Sequence, residues 1–127
     1  MSTKNIINTK NAPAPIGPYN QAVKVNNMLF VSGQIAINPA DSSLNTSNIT
    51  EETHQVMKNL EAILKEAGMG FENIIKTSIF LSDMNNFGKV NEVYGSYFKD
   101  NFPARETVEV SRLPKDVNVE ISVVASV

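Results

Sequence analysis

Two rhythms of apolar and polar residues run along this chain. Between Thr50 and Ala67, the residues Val56, Leu60, Ile63, Leu64 and Ala67 recur at i, i+4, i+7, i+8 and i+11. That spacing lays one apolar stripe along a helix. Glu51 and Glu52 stand in its first turn, where the helix dipole favours negative charge, and Gly68 is placed to end it. A second helix is expected from a cap at Asp83 to about Lys99, with Phe87, Val90, Tyr94, Tyr97 and Phe98 on its apolar face. Gly88 and Gly95 each weaken it by about 1 kcal/mol relative to Ala. Tertiary packing must therefore hold it, and close approach to another element would account for the two glycines.

Elsewhere the period is two. Ala22–Val25 and Met28–Val31 flank Asn26-Asn27 and predict a hairpin, since Asn tolerates the positive φ of a tight turn. Ile74–Leu81 is rich in β-branched and aromatic residues, and Thr107–Ser111 places Val108 and Val110 on one face. In the last strand Val117, Val119, Ile121, Val123 and Ala125 share one face; Asn118, Glu120, Ser122, Val124 and Ser126 share the other. Pro13, Pro15 and Pro18 exclude a helix or central strand from Asn11 to Asn20, whose PxxP pattern reads as a plain extended loop. Residues 38–48 read as a second loop. The expected order is β-β-α-β-α-β-β, an α+β fold in which a mixed sheet carries two helices on one face. The opposite face, with Val124 and also Phe80 and Ile74, is half apolar and calls for self-association.

A length of 127 residues implies one domain, residues 1–127, able to fold without metal or disulfide staples. There is no cysteine and one histidine, His54, so thiolate nucleophiles, disulfides and zinc ribbons are excluded. Neither a metal nor a cofactor is expected. The net charge of −2 argues against a nucleic-acid partner. Met1 to Lys10 is polar and has no signal-peptide core, and no run approaches the roughly 18 apolar residues of a membrane span. A cytoplasmic protein with no membrane partner is expected, and the sequons at Asn45 and Asn48 read as chance matches.

Chemistry must then come from carboxylates, Arg, Lys, hydroxyls, amides and backbone. His54 lies off the helix stripe and reads as a solvated or capping residue. Tyr94 and Tyr97 read as packing, whereas Tyr19, in the Pro/Gly loop, is free to offer a hydroxyl to a pocket. Arg105 follows a rigid Pro103 and carries a planar fork that matches a carboxylate. Glu120 sits mid-strand. Two readings of this pair stand open: a cross-strand surface ion pair worth under about 1 kcal/mol, or parts of a site.

The runs Phe102-Pro103-Ala104-Arg105, Val108-Glu109-Val110, Arg112-Leu113-Pro114-Lys115-Asp116-Val117 and Val119-Glu120-Ile121 resemble the C-terminal signature of the reactive intermediate/imine deaminases, the RidA/YjgF family. Ala12-Pro13 with Ile16-Gly17-Pro18-Tyr19 resembles its N-terminal loop, Val31-Ser32-Gly33-Gln34 its third-strand motif, and Asp83 to Phe87 with Val90, Asn91 and Tyr94 its second helix. The resemblance implies a chorismate-mutase-like fold assembled as a homotrimer, its sheets forming an inner barrel and its sites lying between subunits. It further implies hydrolysis of 2-aminoacrylate and related 2-imino or 2-enamino acids, small carboxylates, to 2-keto acids and ammonia. Arg105 would clamp the substrate carboxylate and Glu120 would orient water and help proton transfer. Tyr19, Ser32, Gly33, Asn91 and Thr107 would line the pocket. A non-catalytic trimer sensing 2-keto acids, or a translation inhibitor with ribonuclease activity, is the alternative within the same family. Thr107 stands where the family often has Cys, so that Cys is not required here. Glu106 matters only if it reaches the Arg105 guanidinium.

Overall fold

The computed structural model describes residues 3–127. Six strands form one sheet: β1 (Asn5–Ile7), β2 (Ala22–Val25), β3 (Met28–Gln34), β4 (Ile74–Leu81), β5 (Ala104–Glu109) and β6 (Val119–Ser126). Their spatial order is β1-β2-β3-β6-β4-β5. β4 and β5 run parallel, and every other neighbouring pair is antiparallel. Two helices, α1 (Ile49–Glu66) and α2 (Phe87–Gly95), complete the mixed α+β fold.

The α1 stripe is buried as its spacing predicts: Val56, Leu60, Ile63 and Leu64 are all inaccessible. Asn48 caps its first turn by accepting from the Glu51 N–H at 2.8 Å. Its last turn closes by two bonds, Gly68 N–H to the Lys65 carbonyl and Met69 N–H to the Leu64 carbonyl, with Gly68 at φ +75°. These are the paired bonds of a Schellman end, which needs a residue tolerant of the left-handed region. The hairpin turn places Asn26 at φ 54°.

Several boundaries differ from expectation. β1 appears where no strand was expected; it exists by pairing with β2, not by its own pattern. α2 ends at Gly95, short of Lys99, because 3₁₀-type bonds from Tyr97 and Phe98 N–H tighten the last turn. A 3₁₀ turn, Met84–Asn86, precedes it, and Asp83 caps that turn through the Asn85 N–H. β5 starts three residues earlier than expected, at Ala104, paired with Lys76. A Cβ at Gly88 or Gly95 would meet nothing within 4 Å in this chain, so close packing does not explain those glycines here. Ile74 is buried on the helix-covered face, not the open one, where it pairs with Ala125.

The register sorts the two faces of the sheet. Thr77, Ile79, Leu81, Val119, Ile121, Val123 and Ala125 are buried toward the helices. On the other face Val23, Phe30 and Val124 form one row, Ser122, Ser78 and Glu106 a second, and Glu120, Phe80 and Val108 a third. Phe30 stays 49% exposed there and Val108 40%.

Candidate functional site

Glu120 stands on the open face of β6, over a kink in its neighbour. Between Val31 and Gln34, β3 makes three steps while β6 makes two, from Val123 to Ile121, so Ser32 and Gly33 form a β-bulge. A Cβ built on Gly33 would lie 2.8 Å from the Glu120 carboxyl carbon, well inside contact distance. Glycine is therefore what lets the Glu120 side chain lie across the bulge. A pocket of about 380 Å³ opens at this point. Its polar lining includes Tyr19, Ser32, Gln34 and Glu120; its apolar walls include Ile35, Ile37 and Pro114. Burial raises the Glu120 pKa above the ordinary glutamate value, since the charged form loses hydration.

Buried amides hold the walls. Gln21 is nearly inaccessible and ties down the Pro-rich loop: its Nε2 donates to the Thr9, Ala12 and Pro13 carbonyls, and its Oε1 accepts from the Thr9 N–H. Tyr19 leaves that loop with its hydroxyl accepting from the Ile16 N–H at 3.4 Å. Ser32 Oγ donates to the Asn20 carbonyl at 2.6 Å. Gln34, Pro114, Ile35 and Ile37 were not among the expected site residues. Gln34 lies within the Val31–Gln34 motif, and Pro114 within the Arg112–Val117 run.

Arg105 lies elsewhere. It pairs across β4 with Thr77, and Thr77 with Val123, a row buried beneath the helices. Because β5 is an edge strand, the guanidinium emerges beside α2. Its Nη1 donates to Asn91 Oδ1 at 2.7 Å. The carbon at its centre sits 5.1 Å from the Tyr94 ring centroid and 5.7 Å from that of Phe87, cation–π distances. Tyr94 is thus both core and platform: its hydroxyl donates to Thr77 Oγ1 at 2.9 Å, and burial raises its pKa. A shallow pocket beside it is lined by Asn91, Tyr94, Gly95, Phe102, Pro103 and Arg105. Thr107 shares this face of β5, and its Oγ1 is buried without a partner among the described residues.

The expected residues therefore form two constellations. Tyr19, Ser32, Gly33 and Glu120 come together on the open face; Asn91 and Arg105 come together on the helix side, with Thr107 on the same face of β5. The cross-strand ion pair between Arg105 and Glu120 is excluded, because the two lie on opposite faces of the sheet. Glu106 turns away from Arg105, accepting from Ser78 Oγ and pairing with Lys76 at 2.9 Å. Those two contacts, Ser78 first, lower its pKa. His54 is neither free nor a cap: its Nδ1 lies 2.8 Å from the Tyr97 hydroxyl. Among the described residues no group of three or more His, Asp or Glu side chains is placed to hold a metal ion, and no helix is long and apolar enough to cross a membrane.

The sequence model of the family described as endoribonuclease L-PSP matches residues 9–127. A RutC family protein of Pyrococcus horikoshii is 51% identical over 122 residues, covering 96% of this chain and 97% of its own length. The 2-iminobutanoate/2-iminopropanoate deaminase of Homo sapiens is 46% identical over 122 residues, covering 96% and 89%. Among solved structures, a protein of the conserved Rid family from Yersinia pestis superposes with a TM-score of 0.96 at 51% identity, covering 98% of this chain and all of that one. The YjgF gene product of E. coli gives 0.92 at 42% identity, covering 96% and 98%.

Proposed function

The chain belongs to the endoribonuclease L-PSP family, which includes Rid and YjgF proteins, and on that footing we propose that it hydrolyses 2-imino and 2-enamino acids to 2-keto acids and ammonia. The observation that carries this reading is the Arg105 guanidinium. It is oriented by Asn91 and two aromatic rings, and no carboxylate of the described residues pairs with it. A fork held ready and unpaired fits an incoming carboxylate. Relatives named as 2-iminobutanoate/2-iminopropanoate deaminases support the substrate class.

The reaction asks little of the protein. A protonated imine carbon is already electrophilic, so water adds to it without a covalent enzyme nucleophile. Water supplies the oxygen of the new carbonyl, the carbon–nitrogen bond breaks, and nitrogen leaves as ammonium. Arg105 fixes the acid by its carboxylate, which places the imine carbon within about 3 Å of a water. Glu120 accepts a proton from that water, a role typically worth about 10²–10⁴-fold. Tyr19, Ser32, Gly33, Asn91 and Thr107 line the site in this reading.

Arg105 and Glu120 face opposite sides of one sheet, so a site using both draws them from two copies. We place it between subunits of a homotrimer whose open sheet faces close into an inner barrel, the chorismate-mutase-like arrangement. The test couples purified chain to a serine or threonine dehydratase and follows keto-acid release. Wild type should accelerate release, Arg105→Ala should not, and Arg105→Lys should also be impaired because an ammonium lacks the fork. Tight 2-ketobutyrate binding without any rate enhancement would instead indicate a sensor.

A further inference from the structure

Glu52 is a buried charged group that the proposed reaction leaves unused. It sits in the first turn of α1 and is fully inaccessible. None of the ion pairs among the described residues includes it. Burying a carboxylate without a cation is costly unless hydrogen bonds replace its water. Both of its oxygens are spent on one residue: Oε2 accepts from the Asn118 backbone N–H at 2.7 Å, and Oε1 accepts from Asn118 Nδ2 at 2.8 Å. Asn118 is gripped from the other side too. Its carbonyl accepts from the Ser82 N–H at 3.2 Å, and its Oδ1 lies 3.4 Å from Ser82 Oγ.

Asn118 is where the loop carrying Pro114 becomes the strand carrying Glu120. The loop approaching it is not regular: Lys115 and Asp116 both have φ 56°. Its own turn is closed by the Asp116 N–H on the Leu113 carbonyl and by Arg112 on Asp116, and Glu52 holds the point where it enters the strand. Two helical turns further on, the same face of α1 presents Asn59. It is buried, and its Nδ2 donates to the Ile35 and Ile37 carbonyls at 3.1 and 3.0 Å. Ile35 and Ile37 line the same pocket. One helix face thus holds two of the segments that line the Glu120 pocket.

We propose that Glu52 is a positioning residue: through Asn118 it sets where β6 delivers the Glu120 carboxyl and where the loop delivers the Pro114 wall. This rests on the imine-hydrolysis reading of the site. The hydrogen bonding suggests a swap that separates positioning from mere stability. In Glu52→Leu the Asn118 N–H and side-chain amide lose their acceptors, and in Asn118→Asp two carboxylates face each other. In the double variant Glu52→Gln with Asn118→Asp the Gln carbonyl accepts from the backbone N–H while its amide donates to the Asp, restoring both bonds.

The experiment compares wild type, both single variants and the double variant as full chains, below the melting temperature of each. Two readouts are used: dehydratase-coupled kinetics, and titration of the Glu120 carboxyl by carbon-13 NMR. Asn118→Asp and Glu52→Leu should each lower kcat by about tenfold or more with KM nearly unchanged, since the Arg105 clamp is held elsewhere. The Glu120 titration should shift in the single variants and return, with kcat, in the double. Folded Asn118→Asp with wild-type kcat, or with an unshifted Glu120 titration, overturns the proposal and leaves Glu52 a stability element. If Asn118→Asp does not fold, Asn118→Ala carries the same test. If wild type hydrolyses no imine, the reaction assignment fails, and the Glu120 titration alone decides the positioning role.

Discussion

Glu120 and Gly33 are mutually dependent, because the carboxyl occupies the space a side chain at Gly33 would need. Gly33→Ala should fold, since the clash falls on the flexible end of a side chain, but it should displace the carboxyl. Its kcat in the dehydratase-coupled assay should fall toward that of Glu120→Ala. The Glu120 pKa is raised by burial, so the carboxylate form that the proposed reaction uses as a base is lost earlier on acidification than for an ordinary glutamate. The acid limb of kcat/KM should therefore lie above the usual carboxylate range and vanish in Glu120→Gln. The same shift has a sign for stability. A group whose folded pKa is raised favours the fold while protonated and loses that contribution as pH rises through the folded value. Glu120→Gln should thus melt higher than wild type near neutral pH, and the gain should disappear below the unfolded glutamate pKa. A melting curve at each pH checks it.

Periodicity carried the long elements and failed on the short ones. The α1 stripe was legible because eighteen residues repeat a single phase, and its Schellman end at Gly68 is local chemistry, whereas its cap, Asn48, fell in the loop expected over residues 38–48. Asn48→Ala should cost about 1 kcal/mol through the lost cap, read as a lower unfolding midpoint in denaturant. β1 was not legible: its three residues carry no alternation, and only the exposed edge of β2 makes them a strand. The end of α2 was missed for a related reason. Tyr97 and Phe98 keep a helical-looking apolar pattern after the helix has stopped, because they pack in an aromatic cluster with Phe71 and Tyr94. Motif residues pointed to both halves of the site, yet the separation of those halves was invisible in one dimension. Alternation orders residues within a strand, whereas the face that Arg105 shares with Thr77 and Val123 follows from pairing across strands. Glu52 was read as a helix-dipole residue, since its bond to Asn118 spans 66 positions.

In the proposed reaction the separation of Arg105 from Glu120 makes assembly a condition of chemistry, and two kinds of variant test that link. Phe30 and Val108 leave apolar area on the open sheet face, which the proposed trimer would cover. Phe30→Asp or Val108→Asp should shift the chain toward monomer in analytical ultracentrifugation and abolish imine hydrolysis together, although neither residue lies in either constellation. A stronger test mixes defects. Arg105→Ala chains keep Glu120, and Glu120→Ala chains keep Arg105. Refolded together in equal amounts, they should form mixed assemblies in which about one quarter of the interfaces pair an intact Arg105 with an intact Glu120, because each interface draws one residue from each neighbour. Activity should recover to about that fraction of wild type, while each variant alone stays inactive. If both residues served a site within one chain, mixing would restore nothing, and the reading of an intersubunit site would fall with it.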